Sequence, residues 1–231
     1  MKVTVQPLKE ALTLMSAVVD EVGVVPKDDG WSMAAKSVDS VAIADIMIKK
    51  EAFTDYAVSQ VFAFDVKQML KALSKCGPEA DISVDGAVIT VRSGQISQTM
   101  RTIANIAQPR VPELEQSADA MVPADSLRVV VDADKGYDQV DIEVSPQGVK
   151  AAVLDEAGMG VTMTVSPEET ALLDGSARAQ YPLSHLTPVI RAVPRGSMVD
   201  MKLSTDYPME IHAVFPQWTL MYMIAPRINS E

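Results

Sequence analysis

The stretch Ala107–Val122, AQPRVPELEQSADAMV, lies near the middle of the chain and separates two halves with similar sequence patterns. It contains Pro109 and Pro112 and has no long apolar run. Because proline fixes φ and removes a backbone donor, we expect an extended segment here rather than a helix. We interpret it as a connector between two similar domains, residues 1–106 and 123–231. A proline-rich ligand for an SH3-like module is the alternative interpretation.

Composition limits the class of protein. The 231 residues are 48% hydrophobic, which is enough for one large domain or for two domains of about 100 residues each. No apolar run reaches the roughly 18 residues of a membrane span, and the first ten residues contain no apolar secretory segment. The single cysteine, Cys76, excludes an internal disulfide and a cysteine-based metal cluster. We therefore expect a cytoplasmic protein.

The chain is acidic, with a formal net charge of −11. Residues 1–106 contribute −2 and the connector another −2, whereas residues 123–231 hold 8 basic against 15 acidic residues. A chain with this balance is not an obvious nucleic-acid binder, because the phosphate backbone repels negative charge. Any contact with DNA must come from a local basic surface, and we expect that contact to be weak.

Helical and strand patterns alternate through the first half. Apolar residues at helical spacing predict a helix from Gln6 to Val22. Short β-like runs follow, and the alternating stretch 41–48 predicts a strand with one strongly apolar face. After a second helix, residues 80–106 predict two or three strands, with Asp85-Gly86 as a hairpin turn.

The second helix of the first half carries a basic stripe. Asp65 is its predicted N-cap, and Gly77-Pro78 ends it. Three lysines stand four residues apart and so share one helix face: Lys67, Lys71 and Lys75. A solvated helix face is the ordinary explanation of such a stripe. In so acidic a chain, a stripe without intervening acidic residues at this spacing favours a functional role.

The second half repeats the order of elements found in the first. Residues 181–196 match residues 64–79 at an offset of 117, with the apolar positions in step. Each half is therefore predicted as strand, helix, strands, helix and strands, which indicates a duplicated domain. Pro188 falls inside the predicted fourth helix, where proline removes a hydrogen bond. The sequence gives no reason for its presence there.

Residues suited to catalysis or metal binding form no recognisable motif. His185 and His212, the two histidines, stand at neither triad nor zinc-binding spacing, so we interpret both as structural. The run from Asp132 imitates a calcium loop, but Gly136 and Tyr137 occupy its positions five and six, where a ligand and a glycine are needed. No glycine-rich phosphate loop occurs. We expect neither an enzyme activity nor a cofactor or metal.

The C-terminal run Leu220–Ile228 is apolar as far as Ala225, and Pro226 ends any strand there. This pattern is typical of a last core strand followed by a short tail. A sheet edge on which partner peptides dock is the alternative interpretation.

Short segments spread over nearly the whole chain resemble those of DNA sliding clamps of the proliferating cell nuclear antigen (PCNA) type, above all the archaeal members. They are VVDEV (18–22), AAKSVDSVAIADI (34–46), EAFTDY (51–56), VPELE (111–115), YPLSHL (181–186), STDYPMEI (204–211) and MIAPRI (223–228). Their order and spacing together carry the resemblance. Two departures concern the partner pocket. Lys36-Ser37-Val38 stands where the family often has Met-Asp-Pro, and Met223 stands where an aromatic residue is common.

The resemblance implies an α+β fold of two topologically similar clamp domains, with helices on the inner face and antiparallel sheets outside. Three subunits would close head to tail into a homotrimer around duplex DNA, with strand 97–104 pairing with strand 158–165 of the next subunit. Such a ring is a processivity factor in DNA replication and repair, held on DNA by topology whatever the sequence. The residues placed against the phosphates would be Lys9, Lys67, Lys71, Lys75, Arg191 and Arg195.

The resemblance also implies partners. DNA polymerase, clamp loader, flap endonuclease and DNA ligase would each bring a short peptide motif to a pocket under the connector and beside the C-terminal tail. The matching positions are Ser40, Val41, Ile43, Val111, Pro112, Pro208, Met223, Ala225, Pro226 and Ile228. The expected location is the cytoplasm, in association with the nucleoid.

Two other functions stay open from the sequence. The chain can be one subunit of a heterotrimeric clamp, which the mass of the pure chain in solution would distinguish. More remotely, it can be an enzyme on a duplicated α+β scaffold. That function requires a nucleophile or a metal site, and the sequence shows neither.

Overall fold

The computed structural model describes residues 1–57, 60–104, 106–133 and 136–227. The chain divides into two compact units. The first comprises Met1–Val111 and Val214–Leu220, and the second comprises Pro112–Ala213 and the residues from Met221 onward. Among the described residues, no helix has both the length and the apolar character needed to cross a membrane.

In its described residues, the segment Met1–Val111 forms two α-helices, α1 (Val5–Met15) and α2 (Val66–Leu73). Its strands are β1 (Lys2–Thr4), β2 (Glu21–Lys27), β3 (Gly30–Lys36), β4 (Ala42–Lys49), β5 (Phe53–Thr54), β6 (Phe62–Asp65), β7 (Glu79–Asp85), β8 (Val88–Ser93) and β9 (Ile96–Arg101). These strands pair antiparallel in two sets, in the orders β5-β1-β7-β8-β9 and β4-β3-β2-β6.

From Pro112 onward, the described residues form two more α-helices, α3 (Ala124–Val131) and α4 (Leu183–Ala192). The strands are β10 (Ala118–Pro123), β11 (Gln139–Ser145), β12 (Gly148–Leu154), β13 (Gly160–Val165), β14 (Leu172–Gly175), β15 (Ala177–Pro182), β16 (Met198–Leu203), β17 (Met209–Val214) and β18 (Trp218–Ile224). They run in the orders β14-β10-β16-β17-β18 and β13-β12-β11-β15.

The two halves of the chain share one topology. Element for element, β1-α1-β2-β3-β4-β5-β6-α2-β7-β8-β9 corresponds to β10-α3-β11-β12-β13-β14-β15-α4-β16-β17-β18, and corresponding strands have corresponding neighbours. The helices α2 and α4 begin at Val66 and Leu183, which reproduces the offset of 117 found in the sequence. The predicted α+β fold with two topologically similar domains is therefore confirmed.

Amphipathic spacing decides which face of each helix is buried. In the first unit each buried residue has another three or four positions away on the same helix face: Val5, Leu8, Ala11, Leu12, Leu14 and Met15 in α1, and Val66, Met69, Ala72 and Leu73 in α2. Asp65 caps α2 as predicted, because its carboxylate accepts the Gln68 N–H at 2.7 Å. Since α1 and α2 pack against each other, the polar face of each is left to solvent.

The helix predicted over residues 6–22 was too long. Helix α1 ends at Met15, and Val22 lies fully buried in β2. The Ser16 hydroxyl donates to a carbonyl of the last turn at 2.7 Å, which closes the helix. The next apolar residues, Val18-Val19, are β-branched and weaken helix propagation. The hydrogen bond of Ser16 and the low helix propensity of the two valines therefore favour an end of the helix at Met15, although the apolar pattern continues beyond it.

Pro188 lies inside α4, as the sequence indicated, and the helix continues through it to Ala192. Its missing N–H removes the donor that the Ser184 carbonyl would otherwise use. Ser184 is exposed, so water can reach this turn and hydrogen-bond to it. The exposure of the turn explains how the helix accommodates the proline.

The second unit carries rows of polar side chains on one face of its strands. Cross-strand register aligns Asp174, Asp119, Lys202 and Glu210 in one row and places His212 opposite Asp200 in the next. Burial and a hydrogen bond with Asp119 raise the pKa of Asp200 to about 6. Within the described residues, Oδ1 of Asp119 and Oδ1 of Asp200 are buried without a hydrogen-bond partner. Asp200 therefore takes up a proton in mildly acidic solution.

Asp200→Asn is expected to alter the pH dependence of stability. A carboxyl with a raised folded pKa, here about 6, stabilises the folded chain at low pH, and this contribution is lost as the pH rises through that value. Between about pH 4 and pH 7, the free energy of unfolding of the wild type should fall by roughly 1–2 kcal/mol relative to that of the variant. Urea denaturation at both pH values measures this difference.

The exposed Asp81, on β7 of the first unit, supplies the matched control. Asp81→Asn should follow the wild type at both pH values. An Asp200→Asn variant with the same pH dependence as the wild type would contradict the raised pKa of Asp200.

Candidate nucleic-acid interface

The structure places four predicted DNA-facing lysines of the first unit on or next to one helix pair. Lys67 and Lys71 are exposed on α2, and Lys75 is exposed two residues after that helix ends. Lys9 is half-buried on α1, which packs against α2. Two lysines of the stripe thus lie on the solvent side of α2, whose other side is core. The helix ends at Leu73, before the predicted end at Gly77-Pro78, so Lys75 lies beyond it.

Ion pairing differs among these four lysines. Lys67 Nζ lies 2.5 Å from Asp20 Oδ1, and this hydrogen bond and charge raise the pKa of Lys67. Both side chains are largely exposed, at 70% and 72%, so solvent and salt screen the pair. Lys9, Lys71 and Lys75 have no carboxylate within ion-pair distance among the residues that the structure describes.

The predicted basic residues of the second unit are both paired with acids. Arg191 lies on α4 and donates from Nε to Asp132 Oδ1 at 2.6 Å. Arg195 follows the helix, and its Nη1 lies 3.9 Å from Asp125 Oδ1. The guanidinium of Arg191 is therefore partly neutralised before any phosphate approaches, and that of Arg195 is only loosely held because its side chain is 83% exposed.

Sequence reasoning missed Arg128, which holds the helix pair of the second unit together. It lies on α3, is only 8% exposed, and donates to the carboxylate of Asp125 and to the carbonyl of Val193. Asp125 in turn accepts the Gly196 N–H at 2.8 Å, and these hydrogen bonds lower the pKa of Asp125. An Asp and an Arg three residues apart on a helix, beside its apolar face, were the available signal.

The predicted peptide-binding residues of the first unit lie near β3, β4 and the end of the unit. Ser40 is exposed in the loop between the two strands and has a positive φ of 63°. Val41, just before β4, and Ile43, within it, are half-buried, and Val111 is half-buried in a segment without regular secondary structure. The loop itself is ordered by the Ser37 hydroxyl, which donates to Asp39 at 2.7 Å.

The predicted residues of the second unit differ in exposure. Pro112 is exposed, whereas Pro208, Ala225 and Pro226 are half-buried. Met223 is only 6% exposed, because it lies in β18 with its side chain in the core. Ile228 lies outside the described residues. The C-terminal run is thus confirmed as a last core strand, which ends at Ile224, two residues before Pro226.

The histidines lie apart from any described metal-binding group. His212 Nε2 lies 2.9 Å from Glu210 Oε2, and the carbonyl of His185 accepts the Tyr222 hydroxyl at 3.1 Å. Over the described ranges, no three His, Cys, Asp or Glu side chains are placed to hold a metal ion. Asp134, from the run that imitates a calcium loop, lies outside them.

Comparison with known proteins gives the same family as the sequence segments. No protein-family model matches the chain. It is 25% identical over 241 residues to the DNA polymerase sliding clamp of Methanothrix thermoacetophila, covering 98% of this chain and 97% of that protein. Related proteins of the same name, such as that of Natronomonas pharaonis, match at similar identity and coverage.

Two solved structures share the fold. The A. fulgidus PCNA bound to the C-terminal region of FEN-1 superimposes with a TM-score of 0.91, at 22% identity, over 100% of this chain and 98% of that one. PCNA from Thermococcus kodakaraensis gives a TM-score of 0.87 at 20% identity, over 98% and 99%. The predicted resemblance is therefore confirmed: the chain is similar over its whole length to archaeal DNA polymerase sliding clamps and has the PCNA fold.

Proposed function

We propose that this chain is a DNA polymerase sliding clamp: a homotrimer that encircles duplex DNA and tethers replication and repair enzymes by short peptide motifs. The observation that supports this most is the similarity to sliding clamps over 98% of the chain. The similarity includes both halves of the duplicated topology. The proposed boundaries are an N-terminal clamp domain (1–106), a connector (107–122) and a C-terminal clamp domain (123–231), in a cytoplasmic protein associated with the nucleoid.

A ring of this kind needs only weak contacts with DNA. Exposed lysines on α2 offer a sequence-independent attraction to phosphates, which salt weakens because counterions are released on binding. The described lysines do not form a site that could recognise individual bases. Long, flexible side chains on a solvated helix face respond to the charge of the phosphates and not to the hydrogen-bonding pattern of the bases. Weak, sequence-blind attraction is what a sliding protein requires.

Two edge strands support the trimer. Strand β9 (Ile96–Arg101) is at one end of its set in the first unit, and β13 (Gly160–Val165) is at one end of its set in the second. An edge strand presents unpaired backbone donors and acceptors, which a strand of another chain can pair with. We propose that β9 of one subunit pairs with β13 of the next, so that two different surfaces meet head to tail and close a ring of three.

The pure chain is expected to have the mass of a trimer in solution, about three times 24.9 kDa. Light scattering over a range of concentrations measures this mass. A chain that stays monomeric alone and assembles only with a second, different clamp subunit would instead favour the heterotrimeric alternative. A stable monomer that pairs with nothing would contradict both.

The proposed partners are DNA polymerase, clamp loader, flap endonuclease and DNA ligase. Support comes from the A. fulgidus PCNA structure, which contains the C-terminal region of FEN-1. In the first unit, Ser40 and Val41 are accessible to such a peptide. In the second unit, the half-buried Ala225 and Pro226 follow the last strand and expose apolar surface for an anchor side chain.

Reversing two charges on α2 is expected to weaken the hold on DNA. Lys67→Glu with Lys71→Glu replaces two attractive contacts with repulsive ones at exposed positions, so the subunit should still fold and assemble. The length of DNA that a clamp-dependent polymerase extends in one binding event should fall several-fold, while the mass by light scattering stays the same.

The matched control carries Lys50→Glu and Lys150→Glu, which reverse the charge of two exposed lysines outside the α-helices. This control should extend DNA as the wild type does. Unchanged extension by the α2 variant would argue against α2 as the DNA-facing surface.

A further inference from the structure

Internal duplication allows the basic positions of the two units to be compared directly. Helices α2 and α4 begin 117 residues apart, at Val66 and Leu183. At this offset the three lysines of the α2 stripe correspond to uncharged residues of α4: Ser184, Pro188 and Ala192. The stripe is therefore present in one unit and absent from the equivalent face of the other.

Among the described residues of the helices, one basic position is shared by the two units, and it has a different role in each. Helices α1 and α3 begin at Val5 and Ala124, so Lys9 corresponds to Arg128. Lys9 is half-buried and has no ion-pair partner in the described chain, whereas Arg128 is 8% exposed and donates to Asp125 and Val193. In the second unit this cation is used to join α3 to the end of α4 and is withdrawn from solvent.

The remaining basic side chains of the second helix pair face carboxylates from the neighbouring helix. Asp132, the residue after α3, accepts from Arg191 at 2.6 Å, and Asp125 on α3 lies 3.9 Å from Arg195. Together with Arg128, the second helix pair thus has three guanidinium groups, and the two carboxylates of Asp125 and Asp132 lie next to them. Lys135 lies outside the described residues, next to Asp134, and in sequence their formal charges cancel.

We propose that, in the assembled clamp, duplex phosphates are contacted mainly by the first unit, through Lys9, Lys71 and Lys75, while Asp125 and Asp132 neutralise the helix pair of the second. This inference rests on the proposed function. Each subunit then presents one attractive and one nearly neutral helix pair to the DNA, and the ring attracts the duplex at three places instead of six.

The physical basis is the cost of freeing a paired cation. A phosphate that approaches Arg191 must displace or share the Asp132 carboxylate, which itself repels the phosphate. A lysine such as Lys71, whose ammonium is already solvated and free of protein anions in the described chain, releases a counterion directly on contact. Two helix pairs with equal numbers of basic residues can therefore attract DNA to different extents. The pair whose basic side chains are already bound to carboxylates attracts it less.

Salt dependence of duplex binding tests the proposal. Binding of the assembled protein to a fluorescent duplex of arbitrary sequence is followed by anisotropy from about 20 to 200 mM NaCl. Lys71→Gln with Lys75→Gln should lower the salt slope by about two or more and weaken binding several-fold at low salt. Arg191→Gln with Asp132→Asn, which removes a whole ion pair, should bind within about twofold of the wild type.

Asp132→Asn alone is expected to strengthen duplex binding, in contrast to the double lysine variant, which weakens it. It leaves Arg191 without its carboxylate, so affinity and salt slope should both rise. Lys50→Gln with Lys150→Gln, which also removes two exposed lysines, is the control and should leave binding unchanged. If a double lysine variant loses the trimer mass, the single variants Lys71→Gln and Lys75→Gln replace it.

The outcomes separate this inference from the proposed function. An ion-pair variant that loses as much affinity as the double lysine variant would overturn the unequal contribution and leave the clamp intact. A wild-type protein without salt-dependent duplex binding would contradict the proposed function, and this inference with it.

Discussion

Burial of one face of each helix pair is the constraint on which the rest of this structure depends. Leu8, Leu12 and Met15 on α1 and Met69 and Leu73 on α2 are completely removed from water, each contributing roughly 1.5–3 kcal/mol of apolar burial. A helix that buries one stripe must leave the opposite stripe polar. Since the same topology occurs twice, the chain presents two solvated helix faces, and their charges decide what each can bind.

The two faces have diverged under the same fold. The first keeps Lys71 on α2 and Lys75 beyond its end without an ion-pair partner in the described chain, whereas the second uses Arg128, Asp125 and Asp132 for contacts within its own helix pair. In the proposed clamp, an acidic chain attracts DNA locally without holding it tightly, because only a few cations are available and salt screens them. For a protein that must slide, a small number of exchangeable contacts is preferable to many fixed ones.

Order and type of the elements could be predicted from the sequence, because hydrophobic periodicity and turn residues report local preference. The end of α1 at Met15 could not be predicted from the sequence, because the apolar pattern continues into β2. The basic stripe of α2 could also be predicted, because its lysines follow the same helical periodicity as the apolar residues. The Asp20 partner of Lys67, the Asp132 partner of Arg191 and the Val193 partner of Arg128 could not be predicted, because these contacts join residues 47 to 65 positions apart.

Topological closure around DNA is the central claim, and opening the DNA tests it most directly. The protein is first placed on circular duplex DNA by a clamp loader, and the amount bound is measured by gel filtration before and after one cut linearises the circle. A ring closed around DNA should stay on the circle and be lost from the ends of the linear molecule. Equal retention on circular and linear DNA would contradict the central claim, since binding would then depend on contacts and not on closure.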